Sequence, residues 1–209
     1  QMLRDRVDID FAPTNPESYE PGDAVKLEAD VKNVEQLLVR IYRINELNYY
    51  REEGREVDTT VALDGLVPND EAKHAYSEPP IRRVRRTFEL KEIDSPGVWV
   101  VELIGGGRSS RAVIRLGRLR YTMQSGPAGH VFHVYDQANQ PRPKASLLVE
   151  GHRYEPDANG RIVVPYTTRP GRQKIIMLDG DFATLDSFDH EQETYRLDAG
   201  FHLDRELIS

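Results

Sequence analysis

The sequence predicts an all-β chain: two consecutive immunoglobulin/fibronectin-like antiparallel β-sandwich modules, at residues 1–117 and 118–209. Three observations predict it. Apolar and polar residues alternate with period two along many short segments, and Gly, Pro, Asn and Asp punctuate those segments at close intervals. Stripes with helical spacing are scarce, which argues against βαβ units. The length of 209 residues suits one large β domain or two of about 100 residues each.

In the first module Val25, Leu27, Ala29 and Val31 alternate with Lys26, Glu28, Asp30 and Lys32, the pattern of a half-buried antiparallel strand. Residues 37–44 follow, rich in the β-branched and aromatic side chains that suit a pleated surface. Further strands are predicted at 59–63, 84–90, 98–104 and 109–116, with Pro96-Gly97 and Gly105-Gly106-Gly107 as turns. Around the only tryptophan, Trp99, Val101 and Leu103 share one face while Val98, Val100 and Glu102 share the other, so Trp99 is the predicted core anchor. Residues 64–81 read as a long polar excursion, a kind of loop that is often functional or mobile.

In the second module strands are predicted at 119–123, 129–135, 145–150, 161–166, 173–178 and 195–203, the last leading toward a further module. Asp136 to Pro141, Asp157-Ala158-Asn159-Gly160 and Arg169-Pro170-Gly171 supply turn chemistry between them. Gly160 is expected at a positive φ.

Composition excludes more than it assigns. The net charge of −7 is spread over both halves, which gives no global attraction for polyphosphate, so nucleic acid is not an expected partner. No window approaches the roughly eighteen apolar residues of a spanning helix, so no direct membrane insertion is expected. The absence of cysteine removes disulfides, thiolate nucleophiles and zinc-thiolate sites. The start at Gln1 carries no targeting pattern and reads as the start of a fragment.

The segment Tyr19-Glu20-Pro21-Gly22-Asp23-Ala24-Val25 resembles the opening Tyr-x-Pro-Gly-x-x-Val of macroglobulin-type modules in bacterial proteins of the alpha-2-macroglobulin superfamily. Val31 to Tyr42 is similar to their following strand pair, and Gly97-Val98-Trp99-Val100-Val101-Glu102-Leu103 to a late strand. Val134 to Leu147, with the turn at Asp157 to Gly160, resembles carboxypeptidase-regulatory and transthyretin-like repeats. The resemblance implies modules stacked in a larger secreted or envelope protein, hence an extracytoplasmic location, with a protease-inhibitor scaffold as one role. Protease capture in that family uses a thioester within Cys-Gly-Glu-Gln. This chain has no cysteine, and His190-Glu191-Gln192-Glu193 does not replace that motif.

No catalytic, cofactor-binding or metal-binding residues are expected from the sequence. In a strand His130 and His133 point to opposite faces and cannot share one ion. The acidic stretch from Asp179 to Glu193 lacks the spacing of a calcium loop and reads as a solvated connection. No G-x-S-x-G elbow, P-loop or dinucleotide fingerprint occurs. Two places are candidate partner contacts. Arg83 and Arg85, in the basic run from Arg82 to Arg86, share one strand face, either solvated or forming a patch for nucleic acid or an acidic partner. Tyr49 and Tyr50 sit at the end of the second strand, either packed beneath the next loop or stacking on a sugar or protein. The expected role is therefore non-enzymatic: structural and interaction modules whose partners are neighbouring domains of the same chain or another protein. A carbohydrate-binding or adhesion module is the alternative.

Overall fold

The computed structural model describes residues 5–194. Strands β1 (Asp8–Phe11), β2 (Ser18–Tyr19), β3 (Lys26–Lys32) and β4 (Gln36–Arg43) lead into helix α1 (Glu46–Glu53). Strands β5 (Asp70–Ala75), β6 (Arg83–Glu89), β7 (Gly97–Gly105) and β8 (Arg108–Leu116) complete the first sandwich. Its two sheets run β1-β3-β6 and β2-β8-β7-β4-β5, with β2 the one parallel member beside β8. Between them lie Leu27, Ala29, Leu37, Ile41, Trp99, Leu103 and Ile114, each less than 5% exposed. Trp99 is therefore a core residue, and its indole N–H donates to Ser95 O at 3.2 Å. Gly106 and Gly107 stand at φ of 53° and 75°, the pair of left-handed values that a two-residue hairpin turn requires between β7 and β8.

Residues 117–118 alone separate β8 from β9 (Leu119–Gly126). The Gly117 N–H donates to Tyr19 O at 3.0 Å, and the Arg118 N–H to the Gln137 side-chain oxygen at 2.6 Å. After β9 come β10 (Gly129–Asp136), β11 (Ser146–Val149), β12 (His152–Tyr154), β13 (Ile162–Val164), β14 (Gly171–Asp179) and β15 (Phe182–His190). They form sheets β13-β10-β9 and β12-β11-β14-β15 around Leu119, Phe132, Leu147, Ile162, Ile175, Met177 and Phe188. The chain is thus all-β, built from two immunoglobulin/fibronectin-like sandwiches in succession.

Several local expectations need correction. Residues 59–63 form a turn and an unpaired extended stretch, because Val61 and Leu63 are drawn into an apolar cluster instead of a sheet. The excursion at 64–81 contains β5, an edge strand whose polar sequence needs only one paired neighbour. The acidic stretch after Asp179 is strand β15 and not a loop. Its residues from 182 to 190 pair in register with β14, and Asp181, Asp186 and Asp189 meet Arg43, Arg118 and Arg172 respectively. The helix at 46–53 has no counterpart in the sequence reading. The strand predicted at 195–203 lies outside the described residues.

Candidate interaction site at the seam between the sandwiches

Two strands carry continuous apolar runs, and both are buried on two faces. On β7, Trp99, Val101 and Leu103 face the first core while Val98 and Val100 face away from it. On β14, Ile175 and Met177 face the second core while Ile176 and Leu178 face away. These outward residues meet one another. With Tyr42, Ile44, Tyr50, Val57 and Ala183 they form a third apolar cluster shared by both sandwiches. Fully burying a Val, Leu or Ile contributes about 1.5–3 kcal/mol, so the eight such residues buried in this cluster outweigh any single polar contact there.

Helix α1 closes this seam. Asn45 caps its start by accepting the Asn48 N–H at 3.1 Å, and Gly54 ends it at φ 60°, donating its N–H to Tyr50 O at 3.0 Å. A capping Asn and a terminal Gly bracketing eight residues is a helix signature that was present in the sequence. The cap places Glu46 and Tyr50, one turn apart, on the face that packs against β14 and β15. Glu46 is 1% exposed, and its carboxylate accepts the Val98 N–H at 2.8 Å. Burial pushes its carboxyl above the ordinary range, opposed by hydrogen bonds from the backbone and by the Arg43 charge. Tyr50 is 4% exposed, and its hydroxyl meets Glu56 at 3.1 Å. Burial raises this phenol well above its usual value, and the Glu56 charge adds to the effect.

Arginines lash the loop after α1 to the sheet. Arg115 donates to Val57 O at 2.6 Å, and Arg111 donates to Val61 O and to Glu102, each at 2.9 Å. Two cations cross from one sandwich to the other. Arg43 lies 5.8 Å over the Trp99 ring and 3.7 Å from Asp181, while Lys174 donates to Gly54 O. Beside the seam opens a cleft of about 290 Å³ lined by residues including Glu56, Arg115, Arg118, Arg120 and Phe182.

The sequence-derived candidates fall in two separate places. Tyr50 is sealed in the seam, and Tyr49 is half-buried beside it with Arg55 5.7 Å over its ring. What Tyr50 meets is the other sandwich of the same chain. Arg83 and Arg85 stand on the exposed face of β6, as their spacing requires. Arg85 forms a two-pronged pair with Asp30 at 2.9 and 3.0 Å, and Arg83 reaches Asp10 at 3.1 Å and Asp30 at 3.2 Å. Asp10 and Asp30 are directly opposite in the β1–β3 register, so Arg83 sits where two like charges need a counter-ion. The Arg85 hydrogen bond holds the Asp30 carboxyl below the usual carboxylate range. The seam itself was missed because one-face alternation was sought, although Val98-Trp99-Val100-Val101 and Ile175-Ile176-Met177-Leu178 carry its signal.

A family model described as the AbpF first immunoglobulin-like domain matches residues 37–117. Actin-binding protein F of Dictyostelium discoideum is 37% identical to this chain over 215 residues, covering 100% of the chain. The chain spans 9% of that protein. A solved structure of native alpha-2-macroglobulin from Escherichia coli spanning domains MG0-NIE-MG1 superposes with a TM-score of 0.51 at 14% identity, over 86% of this chain and 63% of that one. The resemblance to macroglobulin modules therefore holds at the level of the fold, whereas the curated relative is not a macroglobulin. The same relative overturns the expected extracytoplasmic, bacterial setting: it is named for binding actin and comes from Dictyostelium.

Proposed function

We propose that this chain is a rigid, non-catalytic spacer and interaction segment of a longer actin-associated protein, with its two modules dividing at Gly117. The single observation that carries this reading is the shared apolar cluster between the sandwiches. Modules serving as flexible beads would leave those surfaces polar, and relative motion is the default unless an interface is apolar. Likeness along the whole chain to a protein named for actin binding supports the association with actin. The ladder of Arg83 and Arg85 is neutralised by aspartates of its own sheet, which supports spacing over direct contact with an acidic partner.

Two measurements test this. In backbone ¹⁵N relaxation both sandwiches should tumble with one correlation time; two distinct times would overturn the rigid-spacer reading. In co-sedimentation with filamentous actin, the isolated chain should stay in the supernatant. Saturable pelleting that Arg85→Ala abolishes would instead make the ladder a direct contact.

A further inference from the structure

At the far end of the second sandwich two imidazoles close the core. His130 on β10 is 0% exposed, and His190 at the end of β15 is 6% exposed. Their ring centroids lie 5.5 Å apart with planes at 62°. Phe132, Phe188 and Tyr166 pack edge-on against His130. No metal reading follows from the pair, since the described residues hold no group of three or more metal-ligating side chains.

The hydrogen bonds assign the protons. His130 Nε2 accepts the backbone N–H of Glu191 at 3.0 Å, so in the neutral ring the proton resides on Nδ1. His190 Nε2 lies 2.7 Å from Pro165 O, which can only accept, so there the proton resides on Nε2. The Nδ1 atoms of both rings are buried and have no hydrogen-bond partner among the described residues. Glu191 is clasped from a second side, because its carbonyl accepts the Thr167 N–H at 3.1 Å. The bond from His130 thus fastens the point where the chain leaves β15.

Protonation inverts this contact. Nε2 of an imidazolium is a donor, and it would face the Glu191 N–H, also a donor, inside a core that offers the cation little solvation. The charged and titratable groups around His130 are few. Among the described residues Glu191 bears the negative charge that acts on His130, with its carboxylate accepting the Ser125 hydroxyl at 3.2 Å. His190 is a potential like charge, and the Tyr166 hydroxyl is committed to Gly126 O at 2.8 Å. Burial lowers the proton affinity of His130, His190 adds to that, and Glu191 opposes it.

We propose that His130 is an acid-sensitive latch on the exit of the second sandwich: neutral, it holds Glu191 on the sheet end; protonated, it lets that segment go. The sign follows from linkage. The latched state favours the neutral ring, so the open state binds more protons below the ordinary imidazole pKa of about 6.5. Opening then rises by up to about tenfold per pH unit below that point, until the latched ring itself protonates.

Amide exchange and imidazole ¹⁵N spectra of the chain between pH 7.5 and 5 test this. The expected result is an Nδ1–H tautomer for His130 at neutral pH. The Glu191 amide should lose protection by up to about tenfold per unit below pH 6.5, after correction for intrinsic exchange, while Ile175 keeps its own. His130→Phe, which suits the surrounding aromatic rings, should leave Glu191 weakly protected at every pH. Flat protection at Glu191 in the parent, an Nε2–H tautomer at His130, or unchanged pH dependence in the variant would each overturn the proposal. Should His130→Phe fail to fold, the parent tautomer and exchange profile decide alone.

Discussion

Replacing Tyr50 by Ala tests whether the seam binds both sandwiches into one cooperative unit. Tyr50 is 4% exposed and packs in the apolar cluster shared with Ile176, Leu178 and Ala183. Truncating a buried aromatic to Ala costs about 3–5 kcal/mol. Losing the 3.1 Å bond to Glu56 adds about 0.5–1.5 kcal/mol. The sum is a large share of the 5–15 kcal/mol that about a hundred residues supply. Tyr50→Phe separates the two parts, since it keeps the ring and should cost only about 1 kcal/mol. Urea unfolding supplies the assay. Trp99 fluorescence reports the first sandwich, being the only tryptophan, while exchange of the Phe132 and Ile175 amides reports the second. In the parent chain both probes should give one midpoint. In Tyr50→Ala both midpoints should fall and draw apart. A loss below about 1 kcal/mol, or midpoints already apart in the parent, would refute the reasoning.

Two further outcomes follow from burial and backbone geometry. The Glu46 carboxyl is pushed up chiefly by burial, so its stabilising protonated form is fully present below the unfolded value of about 4.3 and is lost as pH rises through the folded value. Glu46→Gln keeps an oxygen for the Val98 N–H and should raise stability at pH 7 while flattening the pH profile; a melting temperature at pH 7 below that of the parent would contradict this. Gly129 stands at φ 137°, and a Cβ there would lie 2.2 Å from Val164 O and 2.8 Å from the Pro165 Cα. Gly129→Ala should therefore cost more than about 1 kcal/mol, with thermal unfolding of the second sandwich first affected, and an unaltered melting curve would count against the close approach.

The sandwich strands were legible where one face meets a core and the other meets water. Leu27, Ala29 and Val31 alternate cleanly, and so do Phe132 and Val134 against Val131 and His133. Legibility failed where a second burial interface intervenes. Val98 to Val101 and Ile175 to Leu178 are apolar on both faces, which period-two reading takes for a strong strand without asking what covers its back. It failed again at β5, whose Asp-Glu-Ala-Lys-His-Ala sequence has weak strand propensity and which, among the described strands, pairs with β4 alone. Tyr49 and Tyr50 were noticed for their aromatic character. Their setting depends on a helix cap at Asn45 and on a sandwich about a hundred residues further along, and no local pattern conveys that distance. The facing of Arg83 and Arg85 was plain from spacing, but their counter-ions Asp10 and Asp30 come from other strands.

The joint at residues 117–118 has a mechanical consequence. Two extended residues give about 7 Å of reach, so a pull applied across the chain finds almost no slack before it loads β8 and β9 directly. β8 is stitched along its length to β7, and β9 to β10, so tension at the joint must be shared among whole ladders. On the proposed spacer reading, a chain joined this way would carry displacement from the first sandwich into the second instead of absorbing it, as a strut does in a structure under strain.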